Sequence, residues 1–291
     1  MRQYFLGRSD AAGEGHFGVG APPRVRILVA LADDELRTAL LDLVQGENFS
    51  KIQATTGRTL VNVASRTRPS LIIMSSSYPD LHGQKAILRL RRFTNAYIVV
   101  IDFFADEDGR IALLRAGADQ IVDGRLGHHE LRARVRSMLR RLRWVPSAVD
   151  VVDEEDGTAT TASDLDDEGA DSVAGPLILV SDGVVLDARN HRCWVNDVEV
   201  RLSNTEHRLL LTLMYGHPDG TGNLFTRGEL LAATCGVRTA SAMDDKANRS
   251  LEVHMGNLRK KLGENVRDPR RIRTVHGVGY HWMKPVELKR D

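Results

Sequence analysis

Two cysteines in 291 residues, Cys193 and Cys235, are too few for a disulfide framework and form no CxxC pair that would clamp zinc. No apolar run approaches the ~20 residues that cross a bilayer, which excludes a helical membrane span. The opening stretch MRQYFLGRSDAAGEGHFGVGAPP has no apolar core of the roughly 7–15 residues of a secretory signal, so a cytoplasmic location is expected. Catalytic signatures are missing too: there is no GxxxxGK[ST] loop, no HExxH and no GxSxG. The 10 histidines are scattered, and the neighbours His128 and His129 have no partners at metal spacing. GEGHFG at residues 13–18 matches a dinucleotide fingerprint in letters, but no strand precedes it and no helix follows to face a pyrophosphate. These absences argue against an enzyme, and neither cofactor nor metal is expected.

What is present is globular: 42% hydrophobic and 27% charged residues, at a length that suits two domains. The net charge of +1 conceals an uneven distribution. Residues 145–176 are rich in Asp, Glu, Ala, Ser, Thr and Gly and contain no Lys or Arg. Such a segment buries too little apolar area to offset its ordering entropy and reads as an acidic flexible linker, either a solvated spacer or a competitor with DNA for a basic surface. Residues 1–23, Gly- and Ala-rich, read as a disordered extension.

Between them, residues 24–144 alternate short apolar runs with helix-period segments. Strands are expected at 25–31, 70–74, 97–101 and 120–122, and helices at 34–44, 84–92, 108–116 and 128–143. This β-α alternation predicts a doubly wound parallel sheet, an α/β fold of flavodoxin type, with function at the carboxyl ends of its strands. After the linker, residues 177–202 read as turn-punctuated strands, and helices are expected at 204–215, 227–233 and 246–262. Residues 270–283 form a basic ribbon in which Gly277 and Gly279 permit a tight turn. Helices followed by a basic hairpin suggest an α+β winged helix over residues 177–285, with 286–291 as a tail.

In ANRSLEVHMGNLRKKLG (247–263), Leu251, Met255, Leu258 and Leu262 form one apolar face, and Arg249, Val253, Asn257, Lys260 and Lys261 fall on others. A helix of this kind fits the ~12 Å major groove, where Asn pairs with adenine and Arg or Lys with guanine or phosphate. Arg267, Arg270, Arg271 and Arg273 add charge beside the wing. The runs RLSNTEHRLLLTLM, FTRGELL, RSLEVHMGNLRKKLG and IRTVHGVGY together resemble the winged-helix domain of OmpR/PhoB-type response regulators. The resemblance implies that Arg249, Val253, His254, Asn257 and Arg259 lie on the DNA-facing recognition helix. It also implies that Thr226 and Arg227 contact phosphate and that Thr274 and His276 lie in the wing. Gly256, Asn257 and His276 stand where many relatives carry arginine, so base preference should differ. The loop after Cys235-Gly236 corresponds to one that contacts RNA polymerase in some relatives, which makes the holoenzyme a candidate partner.

Residues 25–143 resemble a receiver domain through LRTALLDLV, PSLIIM leading to YPDLHG, and RAGADQIV. A receiver moves a phosphoryl group onto aspartate with carboxylates on Mg²⁺, a Lys and a hydroxyl. Here the acidic pair falls on Leu31 and Ala32, the nucleophile on Ser75, the hydroxyl on Asp102, and Lys-Pro on Gly124-Arg125. Leu and Ala hold no Mg²⁺, and a Ser hydroxyl without a base is a poor nucleophile. The expectation is a pseudo-receiver acting independently of aspartyl phosphorylation. The rivals are a rearranged metal site of Asp33, Asp34 and Asp102, and modification of Ser75–Ser77 by a serine kinase. Family receivers pair through their fourth helix, fifth strand and fifth helix, where Arg115, Asp119, Arg134 and Arg136 are candidate dimer charges. A constitutive homodimer on paired DNA half-sites is therefore expected. The alternative is gating by a small molecule or protein in a vacated pocket lined by Tyr78, Phe103 and Phe104.

Overall fold

A computed structural model describes residues 25–43, 49–103, 106–126, 130, 177–216, 222–235 and 245–290. Residues 1–24, 131–176 and 236–244 lie outside the described residues, and so does all but residue 130 of the helix expected at 128–143. So do Phe104, His128, His129, Arg134 and Arg136.

The first domain is a five-stranded parallel sheet in the order β2-β1-β3-β4-β5, with β1 Val25–Ala30, β2 Phe49–Ala54, β3 Leu71–Ser75, β4 Tyr97–Asp102 and β5 Gln120–Asp123. Strand residues alternate between two apolar layers. Leu28, Ala30, Ile72, Met74, Ile98 and Val100 pack on one side against α2 Gly57–Thr67, α3 Gly83–Arg91 and α4 Glu107–Ala116. Ile27, Val29, Leu71, Ile73, Val99 and Ile101 pack on the other with Leu36 and Leu40 of α1 Asp34–Leu43. A sheet covered on both faces calls for continuous apolar strands, which is why VRILVA and YIVVID are so readable. Strand β2 and helix α2 escaped that reading: FSKIQA is an edge strand with a half-polar pattern, and α2 fully buries only Gly57, Leu60 and Ala64, with Val61 and Val63 partly covered. Capping sets the helix starts. Thr56 accepts from Thr59 N, and Asp80 accepts from the amides of Gly57 and Arg58 across the loop.

The second domain contains the antiparallel sheet β13-β6-β7-β8-β9, with β6 Leu177–Ser181, β7 Val184–Asp187, β8 Arg192–Val195, β9 Val198–Val200 and β13 Glu287–Arg290. Its two tightest hairpins turn on Asp182-Gly183 and Asn196-Asp197, all four with positive φ, the I′ pattern that suits strand twist. Strand β13 corrects the tail reading: Glu287–Arg290 pairs antiparallel with Leu177–Val180, so the domain runs to at least residue 290. Four mostly charged residues carry no alternation to announce a strand.

Three helices follow the sheet: α5 Asn204–Tyr215, α6 Arg227–Cys235 and α7 Asp245–Lys261. Helix α5 starts with a capping box in which Ser203 and Glu206 exchange side-chain and backbone bonds. The ribbon is β10 Leu224–Thr226, β12 Gly279–Trp282 and β11 Ile272–Val275, in the order β10-β12-β11. Gly277 takes the positive φ of the turn. Gly279 serves closeness instead, since a Cβ there would sit 2.0 Å from the Phe225 carbonyl oxygen. Among the described residues no helix is long and apolar enough to cross a membrane.

Candidate nucleic-acid interface and receiver pocket

Helix α7 holds its place through Leu251, Met255 and Leu258, all buried against α5, α6 and the ribbon with Leu262 just beyond its end. Its remaining residues divide in a way the helical period does not announce. Lys260 is exposed, as are Arg273 and His276 on the ribbon, while Val253 and Thr274 are half-buried. Arg259, expected to face DNA, instead turns inward at 7% exposure. Its Nη2 donates to Ile272 O at 3.0 Å and Thr274 Oγ1 at 2.8 Å, and its guanidinium lies 5.4 Å from the centre of the Tyr280 ring, so it ties the helix to the wing. Lys261 donates to the buried Glu206 at 2.5 Å and anchors α7 to α5.

Two of the four arginines placed beside the wing are also committed inside the domain. Arg271, almost fully buried, pairs with Glu264 and Asp182 and donates to the Asp182 and Leu262 carbonyls. Arg270 pairs with Asp182 on the surface. That leaves Arg267 and Arg273 as the exposed arginines of that group not paired with Asp182. Thr226 caps α6, its hydroxyl accepting from Glu229 N while the Glu229 carboxylate accepts from Thr226 N, and Arg227 pairs with Glu252 of α7 at 2.8 Å.

Helix α7 also touches the first domain. Asn257 Nδ2 donates to Leu114 O at the end of α4 at 3.1 Å, and Arg249 pairs with Glu107 at its start. His254 is 3% exposed, and neither ring nitrogen has a hydrogen-bond partner within the protein, so the expectation that it faces DNA is corrected. Beside it lies Asp119, whose side chain is fully buried. One Asp119 oxygen accepts from Ile98 N at 2.9 Å and pairs with Arg91; the other accepts from Thr205 N, in the first turn of α5, at 2.8 Å. Burial alone would raise this carboxyl's pKa, but Arg91 and the two amides outweigh it and hold the group below its ordinary range. Asp119 therefore joins the two domains of one chain, which corrects its place among the dimer charges. Arg115 is exposed on α4. On the far side of the contact, Asn95 Nδ2 donates to His191 O at 3.3 Å.

The positions of a receiver's acid site fall at the carboxyl end of the parallel sheet, where the side chains present are largely not acidic. Leu31 is 2% exposed and belongs to the core. The Tyr78 ring, 5% exposed, lies over Gly57, and its hydroxyl donates to Ala30 O at 2.5 Å and accepts from Ser75 N at 3.0 Å. Its phenol thus bridges the ends of β1 and β3, and burial raises its pKa. Phe103 packs over Gly124 so closely that a Cβ there would fall 2.6 Å from the ring. Of the residues expected to line a pocket here, Tyr78 is buried, Phe103 is half-buried and Phe104 lies outside the described residues.

The candidate acids of a rearranged site are engaged locally. Asp33 caps α1 by accepting from Leu36 N, Asp34 pairs with Arg37, and Asp102 is 3% exposed. Among the described residues no three His, Cys, Asp or Glu side chains gather as metal ligands. Cys193 is buried, and burial pushes its thiol up to about 12, which leaves it unreactive.

Comparison with known proteins bears on both domains. A family model described as "Transcriptional regulatory protein, C terminal" matches residues 197–282. The KDP operon transcriptional regulatory protein KdpE of Escherichia coli K12 is 30% identical over 258 residues, covering 88% of this chain and 98% of its own. KdpE of Mycobacterium tuberculosis H37Rv is 27% identical over 259 residues, with the same coverage of 88% and 98%. Among solved structures, a cysteine-to-aspartate mutant of RitR covers 89% of this chain and 98% of its own, with 20% identity and a TM-score of 0.63, a likeness of fold. With a parallel α/β domain, a winged helix and a relative alike over nearly its whole length, the chain belongs to the OmpR/PhoB family of response regulators, whose members are DNA-binding transcriptional regulators.

Proposed function

We propose that this protein is a sequence-specific transcriptional regulator whose receiver does not use aspartyl phosphorylation. The observation that carries the reading is the chemistry at the strand ends. Leu31 is buried in the core, the Tyr78 hydroxyl bridges Ala30 O and Ser75 N, and Ser75 stands where the nucleophile would be. A receiver needs carboxylates there for Mg²⁺ and a nucleophilic aspartate. Binding double-stranded DNA falls to α7 in the major groove, with Asn257 reading a base and Lys260 and Arg273 on phosphates. The wing residues Thr274 and His276 lie on the adjoining backbone, and Thr226 and Arg227 at the start of α6. A dimer would read half-sites about one helical turn apart, roughly 10–11 bp.

The contact of α7 with α4 favours a second element, gating by a ligand or partner. With Asn257 and Arg249 engaged by Leu114 and Glu107, DNA binding in this conformation requires the domains to separate. Something other than phosphate must then shift that equilibrium.

The test is retention of genomic DNA fragments by the purified full-length protein, followed by sequencing and footprinting, with and without Mg²⁺ and acetyl phosphate. Paired half-sites bound equally well in both conditions is the expected result. Binding that appears only with the phosphodonor overturns the reading. Weak binding in both, rescued by a cell extract fraction, selects the gated form.

A further inference from the structure

The seam between the two domains is polar, buried and incompletely satisfied. Asp119, Thr205, Glu206 and His254 meet there, and Glu206 Oε1, Thr205 Oγ1 and both ring nitrogens of His254 have no hydrogen-bond partner in the protein. Buried polar groups are ordinarily paired, and a half-satisfied network adds little to the stability of the contact it occupies. The groups facing His254 come from three elements. Asp119 follows α4, Arg91 closes α3, and Glu206, itself held by Lys261, lies in the first turn of α5. Two carboxylates and the Asp119 backbone beside the ring attract a proton to the imidazole, but each carboxylate is already neutralised by its own cation. Burial dominates and pushes the pKa of His254 below its ordinary value of 6.5, with Arg91 adding to the effect.

We propose that the contact between receiver and recognition helix is a proton-sensitive clasp centred on His254, in which uptake of a proton by the imidazole drives the domains apart and frees α7. The thermodynamic sign follows from burial. In the closed form the imidazole is 3% exposed and the two carboxylates beside it are already paired with Arg91 and Lys261. In the open form it is solvated and titrates near 6.5. The closed form is thus the one with fewer bound protons, and acid favours opening. With an open-state pKa of 6.5 and a closed-state His254 that stays neutral, the open-to-closed ratio rises by about tenfold from pH 7.5 to 5.5. Asp119, held below its ordinary range, stays charged across this window. The inference rests on the DNA-binding reading only for its biological consequence, since the clasp is measurable without DNA.

The Thr205 amide is a direct reporter. It lies in the first turn of α5, has no helical acceptor, and donates to Asp119 across the seam, so it exchanges with solvent when the domains part. Hydrogen exchange of the full-length protein by NMR, corrected for the intrinsic pH dependence of the rate, should show Thr205 protection falling about tenfold between pH 7.5 and 5.5. The Leu209 amide, farther along α5, serves as the marker for unfolding of the domain. His254→Gln should flatten the profile. His191→Asn, altering the half-buried imidazole at the Asn95 contact, should leave it intact. A flat wild-type profile overturns the proposal whatever the variants do, and so does a slope that survives in His254→Gln or disappears in His191→Asn. DNA retention measured alongside fails separately if the recognition helix does not bind DNA.

Discussion

Removing one oxygen from Tyr78 tests whether the receiver pocket is a built plug or incidental packing. Tyr78→Phe keeps the ring over Gly57 and deletes only the hydroxyl that joins Ala30 O, at 2.5 Å, to Ser75 N, at 3.0 Å. Both bonds are lost in a site 5% exposed, where water does not replace them. Two net hydrogen bonds at ~1 kcal/mol each, with a desolvation cost for groups left unpaired, give a loss of about 2–4 kcal/mol. Native-state hydrogen exchange of the slowest amides in β1 and β3 reads receiver stability apart from the second domain. Those amides should exchange roughly 30- to 700-fold faster in the variant, taking tenfold per ~1.4 kcal/mol. Acetyl phosphate with Mg²⁺ should still label neither protein, because Leu31, Ala32 and Ser75 are unchanged. Acceleration below about threefold, or phosphoryl uptake by Tyr78→Phe, would refute the assignment of Tyr78 as the residue that closes the site.

Three further outcomes are expected. His207, 2% exposed and stacked 4.3 Å from His191, has its pKa lowered to about 3 by burial, with the His191 charge adding to it. The stability this neutral imidazole confers is complete above pH 6.5 and is lost as pH falls toward 3, by ~1.4 kcal/mol per unit and about 5 kcal/mol in all; urea titrations should show the slope reduced in His207→Gln. Arg271→Met strands Glu264, itself 1% exposed, and should cost the winged-helix domain about 3–5 kcal/mol by denaturant unfolding, whereas a loss under ~1 kcal/mol would mean the pair is solvated. Lys260→Ala and Arg273→Ala should weaken binding to every sequence and each reduce the salt slope by about 0.9, while Asn257→Ala relaxes preference at one base pair. Equal effects of Asn257→Ala on specific and random duplexes remove it from base reading.

The sequence by itself determined the two-domain plan of parallel α/β sheet and winged helix. Apolar runs such as VRILVA and YIVVID declare a sheet buried on both faces, and RSLEVHMGNLRKKL shows a helix with one apolar side, because burial imposes its period on the local chain. The residues Leu31, Ala32 and Ser75 could be placed because each falls at a fixed offset from a strand end. Tertiary structure decided which way the remaining side chains face. Arg259 and His254 share α7 with Asn257, yet one bonds the ribbon and the other is buried beside Asp119. Helical period identifies one buried face, whereas α7 packs on its own domain and also on α4, and the second contact joins residues more than 140 positions apart. The role of Asp119 was hidden for the same reason, its acceptors' partners lying at Ile98, Arg91 and Thr205. Strand β13 exists because β6 offers an edge to pair with, a condition set by the assembled sheet and absent from the four letters ELKR.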